Sequence, residues 1–307
     1  MDFEALVQTI FLFLVLMVPG YHLGKWKKLP DEALPGIGSI LMYIAMPALV
    51  FVKLLETDIS ALEPAAIGCC VLLPVAMGLC LLLLAKRVFH RSPPGQAAVS
   101  RFCAAFPNCG FWSIPLACAL YPDRPEVAVY VSVFNVFNSF LLLTVGAYIL
   151  SGDKRDISVQ AVCGSPVLFA LLLGLILSLT DIRIRLLKSA ATYLSQLATP
   201  LSMLVLGAQA AKLKPRDILL CSRMYLVSGL KLLVSPLLAM AVLRFPGLSV
   251  SQSLRTAVFL ATAVSTALSA PSMAAKYGQD AKYAATVTMG TTFLCVITMP
   301  LLYMLIF

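Results

Sequence analysis

Two stretches of this sequence combine proline with polar side chains in the middle of apolar runs, which is where chemistry is expected. Residues 101–123, RFCAAFPNCGFWSIPLACALYPD, carry Pro107, Asn108, Gly110 and Pro115. Residues 255–280 carry Thr262, Ser265, Thr266 and Ser269 ahead of Pro271 and Ser272. Proline removes an intrahelical hydrogen bond and clashes with the preceding turn, so each run should be a broken helix with freed backbone donors and carbonyls. Where two such breaks meet, half-helix N-termini supply partial positive charge that suits an anion. The alternative is a plain proline kink, which a break recurring in both runs argues against. Nearby candidates are Asn135 and Asn138, three apart and so on one helix face, and Lys231, a cation in mid-run. There is no HExxH, no GxSxG and no carboxylate pair within a run, so neither an enzyme nor a cofactor is expected. His22 and His90 have no companion ligand, and no metal is expected of them.

The elements that must hold these residues are membrane spans. The 307 residues are 60% hydrophobic and only 12% charged, with mean hydropathy +0.94, whereas about a quarter of a soluble domain is charged. An all-α polytopic membrane protein follows. Charges, prolines and glycines punctuate ten apolar segments near 5–24, 33–55, 64–86, 97–120, 126–150, 161–180, 187–211, 217–243, 253–275 and 282–306. The first reads as a span and not a cleavable leader, since Asp2 and Glu4 stand where a basic region would. The nine cysteines fall within apolar runs and read as small buried hydrophobes.

The net charge of +9 would suggest nucleic acid in a soluble chain; here it reports orientation. Alternate loops collect 13 Lys and Arg on one side and 6 on the other. The positive-inside rule then makes the loops 25–31, 86–96, 151–157, 212–217 and 276–282 cytoplasmic and puts both termini outside the cell membrane. The loop 181–188 runs against the rule, with Arg183, Arg185 and Lys188 outside and only Asp181 to offset them.

Internal repetition sets the topology. Pro47 matches Pro200, Pro64 matches Pro215, and Pro115-x5-Tyr121 matches Pro271-x5-Tyr277, at offsets of 153, 151 and 156. An offset near half the chain implies a duplicated five-span unit, 1–155 and 156–307, and an odd span number inverts the second copy. The broken helices are then the fourth and ninth, crossing near the midplane.

All fourteen acids fall in termini, loops or span ends, which leaves a proton relay no intramembrane carboxylate to use. Three roles are open to Lys231: satisfying carbonyls freed by the breaks, attracting an anionic substrate, or snorkelling to an interface. Arg101 and Arg255, near the openings of the broken helices, are expected at the interface, with substrate gathering as the other reading. Asn135 and Asn138 fit either a binding wall or an interhelical hydrogen-bonded pair. Thr266, Thr286 and Thr288, with Thr291 and Thr292, could coordinate sodium or simply pack.

Four segments in order, FPNCGFWSIPL with a tyrosine five residues on, SPVLFALLLGLIL at 165–177, LATPLSMLVLGAQ at 197–209 and AATVTMGTTFLCVITMPL near the C-terminus, resemble the auxin efflux carrier family, nearly end to end. The resemblance implies a bile-acid-symporter-like fold of ten helices. Spans 1, 2, 6 and 7 would form a scaffold that often dimerises, and spans 3–5 and 8–10 a transport domain holding the crossed helices. It further implies transport of organic anions, with dicarboxylates such as malate or malonate proposed in bacteria. Pro107, Asn108, Ile114 and Pro115 carry over directly onto the family's crossover motif. Cys109-Gly110-Phe111-Trp112 departs from the plant carriers, which are more polar at the first of these positions, and this points away from an indole acid. The long cytoplasmic loop of the plant carriers shrinks here to SGDKRD.

The expected substrate site is therefore Asn108, Cys109, Gly110, Ser113, Asn135, Asn138, Lys231, Ser269 and Ser272 around Pro107, Pro115 and Pro271. The leading function is a secondary active or facilitative carrier of small organic anions working by an elevator or rocking motion. Alternatives are a sodium-coupled organic-anion symporter and a non-cycling sensor or channel. The expected partners are the anion, the bilayer and a second copy through the scaffold.

Overall fold

The computed structural model describes residues 3–30, 33–156, 164–180, 184–245 and 250–307. Asp2, Asp31, Glu32, Cys163, Asp181 and Arg183 lie outside these residues. Within them every regular element is helical, apart from one isolated antiparallel bridge between Pro107 and Thr266. In chain order the helices are α1 (Phe3–Lys25), α2 (Ala33–Glu56), α3 (Pro64–Val88), α4 (Pro94–Ala105), α5 (Cys109–Leu120), α6 (Pro125–Ser151), α7 (Pro166–Leu179), α8 (Arg185–Ser195), α9 (Ala198–Ala210), α10 (Pro215–Leu219), α11 (Ser222–Leu243), α12 (Gln252–Thr262), α13 (Ala270–Lys276) and α14 (Ala281–Ile306).

Proline writes many of the starts. Pro64, Pro94, Pro125, Pro166 and Pro215 each open a helix, at a position whose N–H has no intrahelical partner anyway. Of the described helices, α1, α2, α3, α6, α11 and α14 are long and apolar enough to cross a membrane, and α5 and α7 are shorter apolar helices. At 1.5 Å per residue the 22 residues of α11 reach about 33 Å, enough for a hydrocarbon core of about 30 Å. The chain is a multi-pass membrane protein by this measure.

The runs 97–120 and 253–275 are both interrupted, into α4 with α5 and α12 with α13. The run 187–211 is also divided, into α8 and α9, which sequence spacing did not anticipate. Pro200 lies in the first turn of α9, where a missing N–H is tolerated, so the break falls just before it.

α1 packs along α9, and α7 and α8 pack on α2. A second group joins α3 to α4 and α6, α6 to α12, α11 to α12 and α14, and α14 to α4 and α13. The α1–α9 contact is backbone against backbone. A Cβ at Gly20 would fall 2.1 Å from the Leu204 carbonyl oxygen, and one at Gly207 2.0 Å from that of Met17. Gly20 and Gly24 form a G-x-x-x-G step, the spacing that lets membrane helices approach closely.

The cysteines are less uniform than expected. Cys70, Cys103, Cys109 and Cys295 are buried, Cys69, Cys118 and Cys221 are half-buried, and Cys80 is exposed on α3. An apolar run inside a bilayer has a lipid face as well as a protein face, so lying within such a run does not imply burial.

Candidate functional site at the helix crossing

The two interruptions meet. The Asn108 N–H donates to the Ser265 carbonyl at 2.9 Å and the Ala267 N–H to that of Phe106 at 2.8 Å, closing a two-bond ladder around Pro107 and Thr266. Backbone groups that the prolines and the breaks set free are thereby paired with each other. Such pairing is required at membrane depth, where an unsatisfied group costs several kcal/mol. Side chains complete it. Thr266 Oγ1 donates to the Cys103 carbonyl at 2.8 Å, and the Thr266 N–H reaches Thr291 Oγ1 on α14 at 3.2 Å. Asn138 Nδ2 makes a long 3.5 Å contact with the Pro107 carbonyl.

The last carbonyls of α12 have no helical partner. Ser113 Oγ donates to Leu260 at 2.7 Å, Cys109 Sγ to Ala261 at 3.2 Å and Cys295 Sγ to Ala263 at 3.4 Å. Cys109 and Cys295 are therefore donors to a broken helix and not only small apolar fillers. A thiol is a weak donor, and here it serves carbonyls that a purely apolar side chain would leave bare.

Lys231 occupies a π-type turn, Gly229–Val234, within α11 and is 0% exposed. Such turns re-aim side chains and recur at functional sites. The turn that carries it packs against α4 and α14, two of the helices that meet at the crossing. Its Nζ has no hydrogen-bond partner. The carbonyl-satisfying role is thus taken by the two thiols and Ser113, and snorkelling is excluded by full burial.

Two further donors are left unpaired. Asn108 is 2% exposed with Nδ2 unpartnered, and Trp112, 1% exposed, has an unpartnered indole N–H. The Trp112 ring lies edge-on to Phe13 of α1 at 5.8 Å, linking the crossing to the α1–α9 pair. Ser265, 0% exposed, has a free hydroxyl at the same ladder. Asn108 Nδ2, Trp112 Nε1 and Lys231 Nζ can only donate, so the crossing holds surplus donors and among its described residues no carboxylate to take them.

The remaining expected residues divide. A Cβ at Gly110 would lie 3.8 Å from the amide of Asn135, so Asn135 faces the break from α6. Pro115 and Pro271 each sit in the first turn of a seven-residue helix, Ile114–Leu120 and Ala270–Lys276, capped by Tyr121 and Tyr277. Ser272 turns outward and donates to the Ser269 carbonyl at 2.9 Å, so the second break presents Ser265 to the ladder and not these two serines. Thr286 and Thr288 donate to Lys282 and Ala284 one turn back on α14, and Thr286 lines a cavity at the helix end, apart from Thr266. Two residues apart on a helix, they point to different faces. Arg101 Nε donates to the Ala97 carbonyl within α4, and Arg255 is half-buried with its Nε unpartnered.

An apolar helical bundle in which two interrupted helices meet, with no group of His, Cys, Asp or Glu among the described residues that could hold a metal ion, fits the plan of a membrane carrier. The model of a family described as membrane transport protein matches residues 4–164 and 161–303. The chain belongs to this family, the auxin efflux carriers, which are transporters and not enzymes. It is 26% identical to an "Uncharacterized transporter" of Methanothermobacter thermautotrophicus, over 98% of each chain. It is 25% identical to a protein of Rhizobium meliloti named "Putative malonate transporter", over 95% of this chain and 93% of the relative.

Proposed function

We propose that the protein carries small organic anions, dicarboxylates of the size of malonate, through a site at the crossing of α4–α5 with α12–α13. The observation that carries this reading is the surplus of unpaired donors, Asn108 Nδ2, Trp112 Nε1 and Lys231 Nζ, without a neighbouring carboxylate. Buried donors of this kind cost about 1–3 kcal/mol each when left unmade, and an anion supplies the missing acceptors. Malonate enters from the name of the Rhizobium relative and agrees with the donor chemistry. Asn108, Cys109, Gly110, Ser113, Asn135 and Lys231 form or support the site in this reading, with Ser265 added and Asn138 bracing the ladder.

The same reading takes the chain as ten spans in two inverted five-span units, 1–155 and 156–307. Paired features support it. α1 packs on α9 as α7 packs on α2, and Asn138 and Thr291, 153 positions apart, each bond the backbone of one of the two breaks. Spans 1, 2, 6 and 7 (α1, α2, α7 and α8–α9) form the scaffold, through which two copies associate, and the rest moves against it as an elevator. The cell membrane is the proposed location, with the cation-rich end cytoplasmic and both termini outside.

The deciding experiment is radiolabelled malonate flux in proteoliposomes, with and without a sodium gradient. Saturable flux without sodium is expected. Flux only with sodium would move the assignment to a symporter, and a folded protein that neither binds nor moves dicarboxylates would refute it.

A further inference from the structure

One cavity lies away from the crossing, at the end of the molecule where α4, α10, α11 and α14 begin. It holds about 340 Å³ and is lined by Gln96, Arg216, Asp217, Leu220, Lys282 and Thr286, among others. One of its acids is paired with a cation and the other is held by neutral donors. Asp217 pairs with Lys282 at 3.3 Å, and Asp280 accepts from the Tyr283 N–H at 2.8 Å and from Gln96 Nε2 at 3.0 Å. One arginine lines it and another stands beside it. The Arg216 side chain, in the wall, has neither ion pair nor hydrogen bond among the described residues, and Arg223, just outside the lining, donates from Nη1 to Oε1 of the lining residue Gln96 at 2.8 Å, a neutral partner.

The surface beside the cavity is apolar and uncovered. Leu220, at its rim, is 71% exposed, and Leu219, Tyr225 and Leu226 are exposed along α10 and α11. Such a strip on a membrane helix faces acyl chains. A lipid-facing strip that ends at two guanidinium groups matches a molecule with tails at one end and a phosphodiester at the other. A soluble phosphate would use only the guanidinium groups.

We propose that this cavity binds the headgroup of an anionic phospholipid, Arg216 in its wall and Arg223 beside it through Gln96 holding the phosphodiester while the acyl chains lie along Leu219, Leu220 and Leu226. Arginine suits the role because its planar fork meets phosphate oxygens two at a time, and basic pockets between membrane helices hold such headgroups elsewhere. The site is separate from the crossing and stands whether or not the transport reading does.

The test uses the full chain in detergent with phosphatidylcholine, titrated with phosphatidylglycerol, with inorganic phosphate or with glycerophosphoglycerol, the headgroup without tails. Thermal unfolding and native mass spectrometry of retained lipid are the readouts. Phosphatidylglycerol should raise Tm and be retained. Arg216→Gln, which removes a side chain with no partner in the fold, should leave Tm in phosphatidylcholine unchanged and weaken phosphatidylglycerol binding by about tenfold, or about 1.4 kcal/mol. Arg216→Gln with Arg223→Gln should abolish the preference. Equal retention of the two lipids by the native chain, or an unchanged preference in the double variant, would overturn the proposal. Equal stabilisation by inorganic phosphate or glycerophosphoglycerol would overturn the assignment to a lipid.

Discussion

Asn108→Ala separates a binding role from a structural one, because the two predict opposite responses. The backbone of residue 108 makes the fold's bonds here, donating to Ser265 at 2.9 Å and accepting from the Trp112 N–H at 3.2 Å, and both survive the substitution. The side-chain Nδ2 makes none and is buried. Without ligand, an unmade donor of this kind is a burden of about 1–3 kcal/mol. Its removal offsets the few atoms of packing lost, so the Tm of the empty protein should hold or rise. With an anion bound, Nδ2 donates to a charged acceptor, a bond with a net value of about 1.5–3 kcal/mol. Losing it should weaken malonate binding by about 10- to 150-fold.

The assay is paired: Tm of purified native and variant protein without substrate, then malonate affinity by titration calorimetry at fixed pH. Asn108→Asp serves as the control for sign, since a carboxylate there would repel the anion and abolish measurable binding. A folded alanine variant that binds malonate within about twofold of the native protein would refute the placement of Asn108 in the site. A variant whose Tm collapses would show instead that the amide holds the crossing together.

Lys231→Met replaces a buried, unpartnered amine with an apolar side chain of similar length; the empty protein should be more stable and malonate binding at least about tenfold weaker, whereas a destabilised variant with native affinity would assign Lys231 to the fold. Gly207→Val drives a side chain into the Met17 carbonyl, 2.0 Å from the first added atom, and should cost about 1–3 kcal/mol or more, read as a lowered Tm; an unchanged Tm would mean that α1 and α9 can separate freely. Single cysteines placed by Lys154→Cys and Ile184→Cys, in a background that keeps serine donors at 109 and 295, should react with an impermeant thiol reagent from opposite sides of the membrane. Labelling of both from one side would undo the five-plus-five topology. Malonate flux should persist when the pH gradient is collapsed at constant substrate speciation, and flux that stops would reveal a proton site that no intramembrane carboxylate supplies.

The crossing was legible in the sequence where proline coincided with polar residues in an apolar run, since Pro19, Pro74 and Pro300, without such neighbours, lie inside unbroken helices. Pro107 sits in the first break and Pro271 opens the helix after the second, whereas Pro115 lies within α5. What spacing could not give was the partner of each freed group. Cys109 and Ser113 were expected at the substrate and Cys295 as a small apolar filler, yet all three donate to carbonyls at the end of α12, a role set by the approach of α5 and α14 and not by their own neighbours in the chain. Ser269 and Ser272 looked like the polar face of the second break, but a helix begins at Ala270 and turns Ser272 away. Ser265 took the place at the ladder, and the Pro115-to-Pro271 offset, which carries Cys109 onto Ser265, was the signal that could have found it. The G-x-x-x-G step at Gly20 and Gly24 was also readable, although its partner Gly207 lies on α9, visible only once the helices pack.

The composition of the crossing also bears on which step of transport costs most. Donors that only donate, held in a frame fixed by backbone bonds on both sides, cannot turn away to pair among themselves when the site is empty. On the proposed elevator reading, the empty site therefore carries unmade bonds at membrane depth, and an anion relieves them by the same amount wherever the crossing stands relative to α1 and α9. Binding of that kind does not favour one position over another, and a ligand with equal affinity for two states shifts neither. Any difference between loaded and empty movement must then come from what the crossing touches as it slides, and the edge-on contact of Trp112 with Phe13 on α1 is such a point. Trp112→Phe, which keeps an aromatic ring but removes the N–H and the five-membered ring, should weaken malonate affinity, because Nε1 is one of the three surplus donors. A changed exchange rate at native affinity would take the N–H off the substrate and assign the indole to this boundary.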